Sequence, residues 1–201
     1  MELTRKEFSI LEQLISEDSL FRRQICDKTG MSLGTANHTL KELPDAGFVS
    51  NGKISKSGLN AMEPHRTKRT VFIAAGFGTR LVPITLNTPK PLVRVHGERI
   101  IDILIDACLE ASIEEIVIAR GYLAEQFDQL LYKYPMIRFL ENPLYNEANN
   151  ISSALVARYL LSNAYVFEAD LLLYNPKIIR KYHYRSDFLG IRTDRTDDWC
   201  F

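Results

Sequence analysis

Cysteine is scarce in this chain and is not arranged in pairs. The three cysteines, Cys26, Cys108 and Cys200, lie far apart among the 201 residues, and no Cys-x-x-Cys occurs. A disulfide framework or a zinc site would need closer, paired thiols. The spacing excludes both as organising features and predicts reduced thiols in the core of a cytoplasmic protein.

Long hydrophobic runs and an excess of one charge are missing as well. No apolar run approaches the length of a membrane span, and the start Met-Glu-Leu-Thr-Arg-Lys lacks the apolar core of a signal peptide. The formal net charge is zero, so no global field draws the chain to nucleic acid or an anionic membrane. The composition predicts a globular cytoplasmic protein of one ordinary domain or two small ones, without a membrane partner.

Residues 3–62 contain the sequence patterns that begin and end three helices and a hairpin. Thr4 with Glu7 forms a capping box before the first helix, and Ser32 can cap the third. The Asn-Gly pair at 51–52 is a strong hairpin signal. The expected helices are 3–15, 20–28 (stopped by Gly30) and 32–43, and the expected strands are 48–49 and 53–54.

This order of elements resembles a winged helix-turn-helix, a module of many bacterial regulators. The resemblance implies that residues 32–43 would lie in the major groove of DNA. Residues 1–66 carry equal numbers of acidic and basic side chains, whereas DNA-contacting faces are usually basic. DNA binding and a docking or dimerisation role, such as a homodimer, are therefore alternatives. The candidate DNA contacts are Thr35, Asn37, His38 and Lys41 of the third helix and Asn51 and Lys53 of the wing.

A second domain over 70–201 is predicted to follow the first domain, 1–64. The basic stretch between them, 65–69, is marked by a preceding proline and predicts a solvated linker. Beyond it, apolar strands alternate with helices, which predicts an α/β fold with a parallel sheet covered on both faces. The expected strands are 71–75, 115–119, 137–140, 164–169 and 187–192, and the expected helices are 100–111, 121–134, 150–161 and 176–182.

The first strand of this domain runs into the loop Gly-Phe-Gly-Thr-Arg at 76–80. Two glycines this close let the backbone turn tightly and bring its N–H groups against a ligand, and Arg80 adds a forked cation suited to phosphate oxygens. Lys90 follows between two prolines, which hold the chain extended around it. The spacing matches neither a P-loop nor a dinucleotide-binding loop. These residues predict a cradle for a nucleoside triphosphate.

Two further places indicate ligand-binding groups at the same edge of the sheet, where the strands end. Asp170 follows a buried strand, and a carboxylate there can hold a hard divalent cation such as Mg²⁺; a turn aspartate is the alternative. Asn149 and Asn150 precede a helix and can hydrogen-bond a base edge or a ribose. Helix capping is expected to account for one of the two asparagines.

The loop and the following Pro-Lys-Pro resemble the signature of the nucleotidyltransferase family that makes nucleotide sugars and related activated alcohols. The runs Gly-Tyr-x-x-Glu-Gln-Phe at 121–127, Asn-x-x-Tyr-x-x-x-Asn-Asn-x-x-Ser at 142–153 and Ala-Asp at 169–170 are similar to bacterial cytidylyltransferases that activate phosphocholine. The resemblance implies a GT-A-like fold and transfer of CMP from CTP to phosphocholine with Mg²⁺, giving CDP-choline and pyrophosphate. The residues it implies are Arg80 and Lys90 for catalysis, Asp170 for the metal, and Ala74, Ala75, Gly76, Phe77, Gly78, Thr79, Gly121, Tyr122, Asn149 and Asn150 for the nucleotide.

A quaternary ammonium group has no hydrogen-bond donors and is held by aromatic faces. The resemblance places Trp199, the one tryptophan of the chain, where the family has such an aromatic residue. Trp199 is therefore the candidate choline contact, and ordinary packing is the alternative. Tyr174, Tyr182 and Tyr184 are secondary candidates.

The chain departs from the family near its C-terminal end. Family members continue and bring a second metal-binding aspartate, whose context Asp194, Asp197 and Asp198 do not share. The expectation is a transferase domain that is incomplete at its C-terminus, so activity of the 201-residue chain is a separate question. Two rival functions are a sugar 1-phosphate transferase using UTP or dTTP, and a winged-helix regulator whose transferase domain senses CTP or CDP-choline.

Overall fold

The structure is a computed structural model that describes residues 2–17, 21–190 and 194. The N-terminal unit consists of α1 (Arg5–Ser16), α2 (Arg22–Thr29), α3 (Leu33–Asp45), β1 (Val49–Ser50), β2 (Lys53–Ile54) and α4 (Lys56–Met62). The α/β unit consists of β3 (Arg69–Ala74), β4 (Arg94–Val95), β5 (Glu98–Arg99), α5 (Ile100–Glu110), β6 (Glu115–Arg120), β7 (Arg138–Glu141), α6 (Asn150–Ala157) and β8 (Ala164–Glu168). Short 3₁₀ helices lie at Glu63–His65, Thr79–Leu81, Ile84–Leu86, Lys90–Leu92, Ala124–Tyr132, Arg158–Leu160 and Pro176–Ile178.

The N-terminal unit is the winged helix that the sequence predicts. Thr4 caps α1, because its Oγ1 accepts a hydrogen bond from the Glu7 N–H, and the Glu7 carboxylate accepts one from the Thr4 N–H at 2.7 Å. The wing turn has the expected geometry, with φ of 51° at Asn51 and 77° at Gly52. The core of the unit includes Leu3, Phe8, Ile10, Leu11, Leu14, Ile25, Ala36, Leu43, Phe48, Val49 and Met62.

Four strands of the α/β unit form one parallel sheet in the order β7-β6-β3-β8. Helix α5 packs on one face, against Phe72, Ile116 and Ile118. Helix α6 packs on the other face, against Val71 and Val117. Burial on both faces explains why the central strands β3 and β6 read as apolar runs, and the parallel sheet with a helix on each face confirms the predicted α/β class.

The stretch after β6 differs from the expected α-helix over 121–134. Ala124–Tyr132 is a 3₁₀ helix. Phe127 and Leu130 are both fully buried, and their three-residue spacing suits the three-residue turn of a 3₁₀ helix. The helix expected over 150–161 is also shorter, because α6 ends at Ala157 and a 3₁₀ turn follows.

The segment after β8 departs most from the sequence prediction. A helix is expected over 176–182, but only Pro176–Ile178 forms a 3₁₀ turn. The chain then extends, because the Arg180 N–H donates to Tyr165 Oη at 3.0 Å and the Lys181 carbonyl accepts from the Thr67 N–H at 2.8 Å. Hydrogen bonds to residues that are distant in sequence thus take the place of the hydrogen bonds within a helix.

The expected final strand, 187–192, is not found among its described residues, 187–190. His183 Nδ1 lies 2.9 Å from Asp187 Oδ2, and the Tyr184 ring packs on the N-terminal unit. The chain therefore turns towards that unit instead of pairing with β8. Residues 191–192 lie outside the described part of the chain.

Residues 65–69 are not the solvated linker that their composition predicts. The Arg66 backbone pairs with Tyr182 in an antiparallel bridge, and Thr67 is buried. The His65 ring lies 5.1 Å from the Phe8 ring and 5.6 Å from the Tyr184 ring, measured between centroids. Aromatic packing and backbone hydrogen bonds therefore hold this stretch.

The buried Cys108 fits the expectation of a thiol in the core. Cys26 and Cys108 are both free, and Cys108 is fully buried on α5. Burial raises the pKa of the Cys108 thiol to about 11, so the thiol stays protonated and unreactive. Cys200 lies outside the described residues. Among the residues that the structure describes, no helix combines the length and apolar character needed to cross a bilayer.

Candidate active site

An open cleft lies at the carboxyl ends of β3 and β8, the edge of the sheet where the sequence places its ligand. The glycine loop forms one wall, and the start of α6 and the end of β8 form the other. Most of the predicted site residues therefore come together. The lining residues are Ile73, Ala74, Gly76, Gly78, Thr79, Arg80, Lys90, Pro91, Asn150, Glu168, Ala169, Asp170 and Leu171.

The glycine loop is shaped for a close approach of its backbone to other groups. Gly78 has a φ of 64°, and a Cβ there would lie 3.0 Å from Thr85 Cγ2 and 3.2 Å from Lys90 Cβ. The Thr85 hydroxyl donates to the Gly78 carbonyl at 2.9 Å and fixes the loop. A Cβ on Gly76 would meet no atom within 4 Å, so the space beside Gly76 is open to a ligand.

Lys90 and Asp170 form an ion pair across the cleft, with side chains that are 35% and 24% exposed. Pro89 is extended, with a φ of −52° and a ψ of 138°, but Lys90 itself begins a 3₁₀ turn instead of extended chain. The buried Pro91 and Leu92 anchor this turn. The ammonium and the carboxylate are thus partly desolvated, neutralise one another and remain accessible from the cleft.

The cleft has oxygen donors that suit Mg²⁺. Asp170 and Glu168 are the carboxylates among the described lining residues, and the Asn150 amide lies beside them. Mg²⁺ is usually held by one or two carboxylates together with waters and substrate phosphates, so this donor set fits. No group of three or more His, Cys, Asp or Glu residues that could hold a metal occurs in the described part of the chain.

The two asparagines at the start of α6 have different partners. Asn149 Oδ1 accepts from the Ile151 N–H at 3.1 Å and caps the helix, as expected for one of the pair. Asn150 Nδ2 instead donates to Glu168 Oε1 at 3.0 Å inside the cleft. Sequence reasoning missed Glu168, although strand alternation along β8 could have found it. Glu168 faces away from the buried Phe167 and towards α6.

Three aromatic rings stand beside the glycine loop. The Phe77 centroid lies 5.0 Å from that of Tyr122 and 5.5 Å from that of Tyr145. A Cβ on Gly121 would lie 2.6 Å from Tyr145 Cβ, so only glycine lets that ring approach. The Tyr122 N–H donates to the Ala75 carbonyl at 3.1 Å. Phe77 belongs to the loop, and Ala75, Gly121 and Tyr122 adjoin it, while the cleft lining contains none of these four residues.

The other sequence candidates fall in different places. Thr79 and Arg80 are exposed at the outer part of the cleft. Trp199 lies outside the described residues, as do Asp197 and Asp198. Tyr182 is buried in the core of the N-terminal unit, so its secondary assignment to choline is wrong. Tyr184 stacks on His65 in the same region, and Tyr174 is 92% exposed.

The candidate DNA-contacting helix, α3, has a mixed surface. His38 and Lys41 are exposed, and His38 Nδ1 lies 3.0 Å from Glu42 Oε2. Thr35 is hydrogen-bonded to the capping Ser32. The helix carries Lys41 against Glu42 and Asp45, so its surface is not basic.

Two family models match the chain. Residues 69–135 match the nucleotidyl transferase family, and residues 3–50 match the winged helix-turn-helix DNA-binding family. The parallel sheet and the cleft agree with the first match, and the helices and hairpin of the N-terminal unit agree with the second, so the two units have a nucleotidyltransferase fold and a winged-helix fold.

The most similar relatives include cytidylyltransferases. The chain is 40% identical over 134 residues to the 2-aminoethylphosphonate cytidylyltransferase of Lancefieldella rimae, covering 65% of this chain and 54% of that protein. It is 39% identical over 132 residues to the choline-phosphate cytidylyltransferase of Streptococcus pneumoniae, covering 65% and 57%. The solved CTP:phosphocholine cytidylyltransferase of Streptococcus pneumoniae matches at 41% identity with a TM-score of 0.54, over 58% of this chain and 50% of that one. The chain spans about half the length of the curated relatives it matches.

Proposed function

We propose that the α/β unit is the nucleotide-binding part of a cytidylyltransferase that transfers CMP from CTP to phosphocholine. The observation that carries the proposal is the grouping of the glycine loop, Lys90 and Asp170 in one cleft. The relatives support the choice of nucleotide and of acceptor class. Choline phosphate and 2-aminoethylphosphonate, the acceptors in their names, both join a phosphorus acid to a cationic nitrogen. A cytoplasmic location, which a need for CTP favours, is part of the proposal.

The reaction is an in-line displacement at phosphorus. A phosphate oxygen of the acceptor attacks the α-phosphorus of CTP, the bond from that phosphorus to the bridging oxygen breaks, and pyrophosphate leaves. Positioning and charge neutralisation provide most of the rate enhancement in such transfers. The N–H groups at 76–79 would hold the nucleotide, Arg80 would hold the β- and γ-phosphates, and Lys90 would neutralise the α-phosphate and the incoming phosphate.

Before a nucleotide binds, Lys90 and Asp170 form an ion pair with each other. An entering triphosphate competes with Asp170 for the Lys90 ammonium, and this frees the Asp170 carboxylate to hold Mg²⁺. When bound, Mg²⁺ would supply further neutralisation of the phosphate charge. Trp199 remains the proposed choline contact, through cation–π attraction.

The test is pyrophosphate release with Mg²⁺, each of CTP, UTP and dTTP, and a panel of phosphorylated acceptors. We expect release with CTP and with phosphocholine or 2-aminoethylphosphonate. Release with UTP or dTTP and a sugar 1-phosphate would replace the proposal by the sugar nucleotide alternative. Calorimetry provides a readout independent of turnover, and absence of heat with all four ribonucleotides would overturn nucleotide binding itself.

A second candidate function is DNA binding regulated by the transferase domain. The match of residues 3–50 to a DNA-binding family favours it, as do the contacts between this unit and residues 179–184. Fluorescence anisotropy with DNA from upstream of the gene, with and without CTP or CDP-choline, tests it. Specific binding that weakens with salt and responds to the nucleotide is the expected result. Equal anisotropy with unrelated DNA would count against it.

A further inference from the structure

Glu168 lies at the centre of the cleft, yet none of the nucleotidyltransferase motifs includes it. It lines both parts of the cleft together with Gly78, Lys90, Asn150 and Asp170. Its position on the edge strand β8 turns it towards α6, and its carboxylate accepts the 3.0 Å hydrogen bond from Asn150 Nδ2. This hydrogen bond connects the end of β8 to the start of α6.

A second carboxylate beside Asp170 adds negative charge where a triphosphate is to bind. Asp170 is paired with Lys90, whereas the described hydrogen bond of Glu168 comes from a neutral amide. The Glu168 charge would repel phosphates and weaken nucleotide binding. Apart from the Mg²⁺ that it could help to hold, the use that the structure shows for this carboxylate is the hydrogen bond that it accepts from Asn150.

That hydrogen bond fixes the orientation of the Asn150 amide. An asparagine amide has two N–H donors and one carbonyl acceptor in a plane, so engaging one N–H defines where the other two groups point. The first turn of α6, which carries Asn150, is also held in place. Asn142 Nδ2 donates to Ser152 Oγ at 2.9 Å and to Ser153 Oγ at 3.0 Å. Asn149 is occupied as the helix cap.

We infer that Glu168 is a positioning residue that holds the Asn150 amide ready to hydrogen-bond the base or ribose of the bound nucleotide. This inference rests on the proposed function of the cleft. It assigns Glu168 no contact with the reacting atoms.

Two conservative variants separate the hydrogen bond from the charge. Glu168→Gln keeps an acceptor oxygen at the same reach and removes the charge, whereas Glu168→Asp keeps the charge and shortens the reach. By calorimetry with CTP in the absence of Mg²⁺, so that the loss of a metal ligand does not enter, we expect Glu168→Gln to bind as tightly as wild type or more tightly. We expect Glu168→Asp and Glu168→Ala to bind roughly three- to tenfold more weakly, the range of one hydrogen bond. Glu147→Ala, an exposed carboxylate change near α6, is the matched control and should leave the affinity unchanged.

A double-mutant cycle shows whether Glu168 acts through Asn150. The losses in Asn150→Ala and Glu168→Ala should not add in the double variant, because the second change removes a bond that is already broken. Additive losses, an unchanged affinity in Glu168→Ala and Glu168→Asp, or a Glu168→Gln loss as large as that of Glu168→Ala would each overturn the positioning role. Absence of CTP binding by the wild-type chain would overturn the proposed function, and the inference with it.

Discussion

Two of the charged side chains in the cleft form an ion pair. Lys90 and Asp170 are partly buried, so neither is fully solvated, and each lowers the electrostatic cost of the other. A phosphate can replace the carboxylate as the partner of the lysine without leaving the ammonium unpaired. Under the proposed function, this exchange would bring the Lys90 ammonium to the reacting phosphates.

Replacing Lys90 by alanine should therefore slow pyrophosphate release by at least a hundredfold, about 3 kcal/mol of transition-state stabilisation, as for the loss of one oxyanion donor. Steady-state kinetics with CTP and the best acceptor measures this effect. Lys177→Ala, an exposed lysine outside the cleft, is the control and should turn over normally. Near wild-type turnover in Lys90→Ala would show that this ammonium does not act on the phosphates.

The glycines of the site are needed for two different reasons, which alanine variants distinguish. Gly121→Ala should destabilise the fold by about 1–3 kcal/mol, because the added Cβ would lie 2.6 Å from Tyr145 Cβ. Gly76→Ala should leave the free energy of unfolding nearly unchanged but weaken CTP binding, because its Cβ would project into open cleft. Urea unfolding and calorimetry measure both effects. Equal stability of the two variants would contradict this distinction.

At the scale of elements, the start of α6 determines the geometry of one wall of the cleft. Asn142, which is 2% exposed at the end of β7, bonds to Ser152 and Ser153, and its Oδ1 accepts from the Leu144 N–H at 3.0 Å. One buried amide thus connects β7, the following loop and α6. Such a side chain is expected to contribute to stability and to ligand binding together.

Asn142→Ala should lower the free energy of unfolding by about 2–3 kcal/mol, because the Leu144 N–H and the two buried serine hydroxyls would each lose one hydrogen-bond partner. Urea unfolding followed by circular dichroism gives this value. Asn146→Ala changes an exposed asparagine in the same loop, and its stability should match wild type. A loss below about 0.5 kcal/mol in Asn142→Ala would mean that water replaces the amide at this position.

Particular elements show what the sequence could predict. The caps at Thr4 and Ser32 were predictable because each partner lies three residues away. The meeting of the glycine loop with Asp170 was predictable because parallel strands end at one edge of a sheet. Strand alternation could have placed Glu168 on the face towards the cleft, but its hydrogen bond with Asn150 was missed because the two residues lie 18 positions apart. The extended chain at 179–184 was missed for the same reason, since its hydrogen bonds reach Tyr165 and Thr67.

At the scale of the whole molecule, the segment 179–184 belongs to the cores of both units. Ile179 packs in the core of the α/β unit, and Tyr182 packs in the core of the winged helix. The segment follows Asp170 by only a short stretch of chain. Under the regulatory alternative, a shift of the backbone at Asp170 would be transmitted along this stretch of chain to the N-terminal unit.

Glu12 of α1 faces this segment from the winged helix. Its side chain is 14% exposed, and Arg180 Nη1 lies 3.5 Å from its Oε1. Burial raises the pKa of the Glu12 carboxyl above its ordinary value of 4.5, and the charges of Arg180 and His183 oppose this shift only in part. The folded protein thus holds the Glu12 proton more tightly than the unfolded chain does. The stability that this proton contributes is complete below pH 4.5 and is lost as the pH rises through the folded pKa.

Glu12→Gln, which mimics the protonated side chain, should therefore match wild-type stability near pH 4 and exceed it at pH 7. The free energy of unfolding, measured in urea across this range for both proteins, gives the difference as a function of pH. Glu2→Gln alters an exposed carboxyl near the same helix and should show no such dependence. If Glu12→Gln is instead the less stable protein at pH 7, attraction to Arg180 outweighs desolvation, and the two units are held together by charge at this contact.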